Sequence, residues 1–310
     1  MFFGLRTRLL KKYSVCIKPF AKMLVLNTVT LKLNIMKNIM LKLSGFAFLL
    51  VLTMSCENEE SNDQTLSVMD TQETEISAKV DNATEVISDT FLQIFEDEES
   101  PIKLPRHRFL PDCATVTVQL TNTTKEVVVN FGTEGCELRN GHIVSGIVTM
   151  DYNLDTDAST LVINYALENF YVDGINFEGS RTVTRQKSNE NGNPQYSMEM
   201  QLAVTFADGT EVSRSGNKTR EWIEGSLNGN WGDNVFLITG SWETNFANGT
   251  VHSTTITNAL RREASCRFIV SGTIDLVRSL YSGSLDYGDG SCDNLAVFTN
   301  ASGEEREIRL

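Results

Sequence analysis

From Thr115 onward hydrophobic positions recur at every second residue, the period of a strand with one buried face. The clearest run is Tyr196 to Phe206, where Met198, Met200, Leu202, Val204 and Phe206 fall on one side and Ser197, Glu199, Gln201, Ala203 and Thr205 on the other. Leu161, Ile163, Tyr165 and Leu167 alternate in the same way, as do Phe236, Ile238, Trp242 and Phe246 around Gly240. Dipeptides suited to tight hairpins separate such runs: Asn140-Gly141, Asn191-Gly192, Asp208-Gly209 and Asn248-Gly249. Their backbones accept the positive φ that a two-residue turn demands, so about twelve to fourteen strands are expected. Upstream the period is helical. Ile76, Val80, Ala83, Ile87, Phe91 and Ile94 recur at three and four and mark one stripe, predicting a helix over 72–98 that ends before Pro101. A proline-bearing connector, 99–112, leads to the strands. The fold class expected is all-β, an antiparallel multi-stranded sheet forming a sandwich or partly closed barrel, preceded by one amphipathic helix. That helix is expected to pack on an exposed edge or apolar face of the sheet.

The amino terminus follows a third pattern. An apolar run from Leu43 to Met54 follows Lys37 and Lys42 and ends at Ser55-Cys56. About 12 residues fall short of the roughly 20 that span a bilayer, so a cleaved export signal over 36–55 is the expectation, with a permanent membrane helix as its rival. Leu52 to Cys56, L-T-M-S-C, resembles the lipobox of bacterial lipoproteins, which implies cleavage before Cys56 and lipidation of its thiol. The sequence departs from the usual pattern in having Thr53 three residues before the cysteine and leucine one place earlier. C-E-N-E-E-S-N-D-Q, opening an acidic tether over 56–71, resembles the segment that sends many lipoproteins of the Bacteroidota to the outer face of the outer membrane. The location expected is lipid-anchored at the outer membrane, facing the periplasm or the cell surface. Residues 1–35 read as an extension from an upstream start site. A mitochondrial presequence is the competing reading of their basic character, and the lipobox-like cysteine argues against it.

Charge sharpens the division. Nine of the chain's 27 Lys and Arg and none of its 40 Asp and Glu lie in the first 55 residues, so residues 56–310 hold 18 basic against 40 acidic side chains. Such a segment repels phosphate backbones and anionic lipid; nucleic acid is excluded as a partner class, and membrane attachment has to come from the anchor. The acidic runs Glu57 to Asp63 and Glu96 to Glu99 read as a solvated linker and a solvated helix end.

Of six cysteines, Cys16 falls in the extension and Cys56 is assigned to lipid, leaving Cys113, Cys136, Cys266 and Cys292. Four thiols in an exported domain suggest two bridges, for which three pairings exist. The passages N-F-G-T-E-G-C (130–136) and D-Y-G-D-G-S-C (286–292) look like copies of one module, each with a second cysteine upstream. That favours Cys113 with Cys136 and Cys266 with Cys292, two disulfide modules within a β domain over 113–310. Zinc is the rival, but the pairs lack C-x-x-C spacing. Glycines recur inside the strands, at 146, 179, 225, 240, 272 and 283, which suggests bulges or close sheet packing where the sheet bends.

Candidate chemistry is sparse, and no catalytic residue and no cofactor is assigned. The histidines His107, His142 and His252 read as surface or turn residues, and no serine sits in a G-x-S-x-G elbow. Paired carboxylates could serve glycoside hydrolysis, but sequence does not place two of them across a cleft. Asp286, Asp289 and Asp293 on a glycine-rich turn have oxygen chemistry suited to calcium, with Asx turns the plainer account. Trp222, Trp231 and Trp242 lie close in sequence, and sugar faces stack on tryptophan. Trp242 shares parity with Phe236 and belongs to the core. Trp231, at a predicted loop tip, is the better ligand-binding candidate, followed by Trp222, although a plug for the turn is the plainer account of it.

The carboxy-terminal stretch, C-R-F-I-V-S-G-T-I through D-Y-G-D-G-S-C-D-N to E-R-E-I-R-L, resembles β-rich lipoproteins of the Bacteroidota over most of 113–310. The resemblance implies an envelope location and the fold class, and no activity. The function expected is that of a non-enzymatic envelope lipoprotein acting as a binding or interaction module, its partners the membrane through the anchor and either a glycan or another envelope protein. A structural or assembly role at the outer membrane and a carbohydrate-active enzyme are the alternatives.

Overall fold

A computed structural model describes residues 60–99, 109–155, 159–226, 228–278 and 281–310, with side chains of the helix described from Thr71. The predicted extension, export signal and lipidated Cys56, together with Cys16 and His107, lie outside the described residues.

Among the described residues the chain forms one α-helix, α1 (Glu60–Glu99), and then fourteen strands. These are β1 (Thr115–Leu120), β2 (Thr124–Asn130), β3 (Cys136–Glu137), β4 (Ile143–Asn153), β5 (Thr160–Val172), β6 (Ile175–Gln186), β7 (Gln195–Thr205), β8 (Glu211–Glu224), β9 (Val235–Phe246), β10 (Val251–Glu263), β11 (Ile269–Arg278), β12 (Tyr281–Asp289), β13 (Leu295–Asn300) and β14 (Glu305–Arg309). Every paired neighbour is antiparallel and, apart from the short β3 beside β4, the strands follow one another in chain order from β1 to β14. The first and last strands do not pair, so the sheet is not closed. The outer strand β14 reads E-R-E-I-R; alternating charge on an edge discourages pairing with a further chain.

The alternation seen in the sequence is the alternation of burial. In β7 Tyr196, Met198, Met200, Leu202 and Val204 are buried while Glu199, Gln201 and Ala203 are exposed. The register Arg181↔Met200 and Met200↔Gly216 carries the same parity across β6, β7 and β8. The hairpin dipeptides do what their chemistry suggests: Gly209 and Gly249 have φ near +85°, and Phe206 and Phe246 each donate to the carbonyl four residues on, at 2.9 Å.

The helix departs from expectation in length and in placement. It begins at Glu60, twelve residues before the predicted start at residue 72. It does not lie on an edge or on one apolar face: from Ser77 to Phe95 every residue but Lys79 is buried, the polar Asp81, Glu85 and Asp89 included. Side chains from β2, β4 to β8, β10 to β12 and β14 reach it, so the sheet curls around it. On the stripe side Phe91 stacks on Tyr165, with centroids 4.8 Å apart, and Phe95 meets the edge of Tyr152. The end of the helix is not solvated either. Lys125 binds the Glu98 carboxylate at 2.9 Å and Glu99 at 3.3 Å, and the Tyr152 and Tyr196 hydroxyls donate to Glu99 and Glu96.

The interior glycines allow strands to cross closely. Gly146 has φ +93°, and a Cβ placed on it would strike the backbone carbonyl of Asn169. The β4–β5 register shifts at this point, between Ser145 and Ile147, as a bulge does. Gly146→Ala is therefore expected to lower the unfolding free energy by about 2 kcal/mol or more. Gly209→Asn, in a hairpin with no atom near the new Cβ, should cost under about 1 kcal/mol. Urea midpoints of the two variants check the contrast.

Candidate functional site

The densest chemistry in the described residues is a column of ionic groups between α1 and the inner face of the sheet. Asp81, Glu85 and Asp89 recur every fourth residue, so they form one line along the helix, away from the apolar stripe. Opposite them β8 turns Arg214, Lys218 and Arg220 inward, and β10 adds Arg262. Arg214 pairs with Asp81, and its Nε donates to the Thr244 hydroxyl at 3.1 Å. Lys218 Nζ lies 2.8 Å from Glu85 Oε1, Arg220 Nη2 lies 2.6 Å from Asp89 Oδ1, and Arg262 Nε lies 3.0 Å from Asp89 Oδ2. The Tyr287 hydroxyl, from β12, closes the end of the column by donating to Asp81 Oδ2 at 2.9 Å.

Aromatic faces line the cations. Lys218 Nζ stands 4.4 Å above the Trp242 ring and the Arg220 guanidinium 4.2 Å from the Phe236 ring. Ring quadrupoles recover part of the solvation these charges lose on burial. Burial alone would raise the Glu85 carboxyl, but Lys218, Arg220 and Arg262 outweigh it and hold the group below its ordinary value. Glu96 goes the other way. Burial raises it, and the hydrogen bond from Tyr196 and the charge of Arg185 do not offset that rise.

A second ionic cluster ties turns together. His142 Nδ1 lies 2.7 Å from Asp173 Oδ2 and its Nε2 lies 2.6 Å from the Arg267 carbonyl. Arg267 in turn donates to the Gly141 carbonyl and to Asp173. The β3–β4, β5–β6 and β10–β11 turns therefore meet, although residues 142 and 267 are 125 apart in the chain. A third cluster gathers Asn248, His252 and Arg278 on Glu73. His142, at the β3–β4 turn, and His252, within β10, are both buried with a carboxylate beside the ring, a correction to their reading as surface residues.

The residues singled out from sequence have other places. Trp231 is not at an exposed tip. It opens a single 3-10 turn, is 3% exposed, and packs on Trp222, Phe236 and Phe109 with centroids 5.7–6.1 Å apart. Trp222 is equally covered, its Nε1 donating to the Glu224 carbonyl at 2.8 Å. Neither ring offers a face to a sugar, because each fills the space left where the β8–β9 turn crosses the core. Asp286, Asp289 and Asp293 do not converge on a point. Each accepts the amide two residues on, from Gly288, Ser291 and Leu295, at 2.9–3.1 Å, and the side chain and amide of Ser291 hold the exposed Asp289 carboxyl below its ordinary value. Among the described residues no three His, Cys, Asp or Glu side chains stand where they could hold a metal.

Cys113 and Cys136 are at disulfide distance, as are Cys266 and Cys292, with Cα atoms 5.9 and 5.7 Å apart. The two cysteine-bearing passages also open on the same turn: Asn130 accepts from Gly132 and Asp286 from Gly288. No helix among the described residues is long and apolar enough to cross a membrane. Compared with known proteins, the chain matches no family model, no curated protein and no solved structure. Its class is therefore the one its own architecture defines, an open fourteen-stranded antiparallel sheet wrapped on an ion-paired helix.

The column was legible in part. Val212, Arg214, Lys218, Arg220 and Trp222 share one parity in β8, so cations stand at inward positions of a strand, and three acids at fourfold spacing lie opposite the helical stripe.

Two outcomes follow from these pairs. Arg214→Met leaves Asp81 buried without its cation and should cost about 3–5 kcal/mol, while the double variant with Asp81→Leu should lose less than the two single losses combined. A denaturant double-mutant cycle measures this. Because the folded Glu85 carboxyl is depressed, its stabilising contribution is complete above the ordinary value of 4.5 and disappears as pH falls through the folded value; Glu96, raised, contributes most below 4.5 and less as pH climbs. Stability–pH curves should therefore show Glu85→Gln losing its deficit toward acid and Glu96→Gln gaining on wild type from about pH 4.5 upward.

Proposed function

We propose that this chain is an exported envelope lipoprotein, anchored at the outer membrane through an acylated Cys56, that serves as a non-catalytic interaction module. The observation that carries the reading is the burial of the ionic column. Asp81, Glu85, Asp89, Arg214, Lys218, Arg220 and Arg262 are each 0–1% exposed, so the groups that could act as acid, base or electrophile are committed to holding α1 inside the sheet. The same helix fills the space in which a curled sheet would enclose a small molecule.

What is left for recognition is the outer face and its loops. Across β6, β7 and β8 that face carries an open hollow of about 460 Å³ rimmed by Ser180, Thr182, Glu199, Gln201, Ser215 and Asn217. With Trp222 and Trp231 covered, the stacking platform that favoured a glycan is gone, and a hollow of hydroxyl, amide and carboxylate groups favours another envelope protein. Two paired cysteine modules suit an oxidising compartment.

Feeding cells an alkyne-tagged fatty acid tests the anchor: wild type should take up the label and sediment with outer membrane, and Cys56→Ala should do neither. An unlabelled wild-type protein would overturn the lipoprotein reading. A photo-crosslinking residue at Gln201 tests the interaction role, which fails if only monomer is recovered while the same residue at the charged edge, at Glu307, behaves alike.

A further inference from the structure

The ionic column is not balanced. At one end Glu73 meets His252 and Arg278, and at the other Glu98 and Glu99 share the single cation Lys125, so any excess of positive charge is confined to the middle of the column. Between them, among the described residues, five buried cationic side chains, Arg181, Arg214, Lys218, Arg220 and Arg262, face three buried carboxylates, Asp81, Glu85 and Asp89. Guanidinium groups do not shed their proton in proteins, and an uncompensated charge in a low-dielectric interior costs several kcal/mol.

The surplus centres on Arg181. It is 2% exposed, on the inner side of β6; its Nη1 makes a 3.4 Å contact with the Ser88 hydroxyl, whose own proton is given to the Thr84 carbonyl at 2.9 Å, and the Tyr165 oxygen is its other polar neighbour. No carboxylate among the described residues pairs with it. Its guanidinium carbon lies 5.7 Å from the centre of the Tyr165 ring. The unmet hydrogen-bonding atoms in this region are mostly donors: Nε and Nη2 of Arg181, Nη1 of Arg220, Nη1 of Arg262 and the hydroxyl of Tyr165. Burial pushes the Tyr165 phenol up, so it keeps its proton and can donate.

We propose that the interior binds one small monovalent inorganic anion of the halide class beside Arg181, between α1 and strands β5, β6 and β8. Arg181 supplies the charge and two donors, and Tyr165 supplies a neutral donor. A halide fits because it accepts from several directions and needs no donor in return. Phosphate or sulfate would bring two charges and a large hydration shell into the protein interior. The anion would act as a structural counter-ion, completing the contact between helix and sheet.

The test uses the full chain, unfolded by denaturant at constant ionic strength in chloride, bromide or gluconate. A single bound halide that is absent from the unfolded chain raises the folded-to-unfolded ratio about tenfold for each tenfold rise in its concentration above its dissociation constant. Wild type should show that dependence in chloride and bromide and none in gluconate, and Arg181→Met should lose it. Should Arg181→Met fail to fold, Tyr165→Phe removes one hydroxyl only and should shift the halide midpoint to higher concentration. Crystals grown in bromide should give an anomalous peak within hydrogen-bonding reach of Arg181. Equal stability in chloride and gluconate, a halide dependence unchanged in both variants, or water density without an anomalous signal would each overturn the proposal.

Discussion

The structure depends on burying an acidic helix face. Three carboxylates on successive turns cannot enter a protein interior unless cations of fitting geometry enter with them, and β8 and β10 provide those cations from inward positions. Ion pairs of this kind add less net stability than apolar side chains of equal volume. They fix position instead. A helix held by apolar contacts alone could slide or turn within a curled sheet, whereas Asp81 on Arg214, Glu85 on Lys218 and Asp89 on Arg220 together set its rotation and its axial register.

That constraint explains features that would otherwise look unrelated. The sheet need not close, because the helix gives each inward strand face something to cover. Its strands bend at glycines whose neighbours cross within contact distance, which lets the sheet follow the helix. The outer face stays polar, as in the exposed Glu199 and Gln201 of β7, since the apolar side of each strand is turned inward.

Much of this was legible from residue order. Period-two alternation located the strands, asparagine-glycine and aspartate-glycine pairs marked turns, and the repeated glycine-cysteine passages anticipated which thiols lie together. The misreadings share one cause. A stripe of Ile76, Val80, Ala83 and Ile87 looks the same whether the opposite side of the helix meets water or arginine, so it gave no sign that Asp81 and Glu85 would be buried. For Trp231 the reading as a turn plug fits and the reading as an exposed tip does not, because turn composition reports backbone geometry and says nothing of whether the chain folds back over the core. The pairing of His142 with Asp173 and Arg267 joins segments brought together only by curling of the whole sheet, and no local pattern carries that information.

The chain order of helix and sheet has a consequence for biogenesis. Asp81 and Glu85 emerge 133 residues before Arg214 and Lys218, and Asp81 waits 206 residues for Tyr287. Until then the helix is an acidic, water-compatible rod with no partner, and the contacts that enclose it are among the longest in sequence, which slows the search for the native arrangement. Wrapping must therefore come near the end of synthesis, once β8, β10 and β12 are available to cover the helix. Release would demand that the sheet peel away while all three carboxylates regain water at once, so the same ordering delays both assembly and loss of the finished molecule.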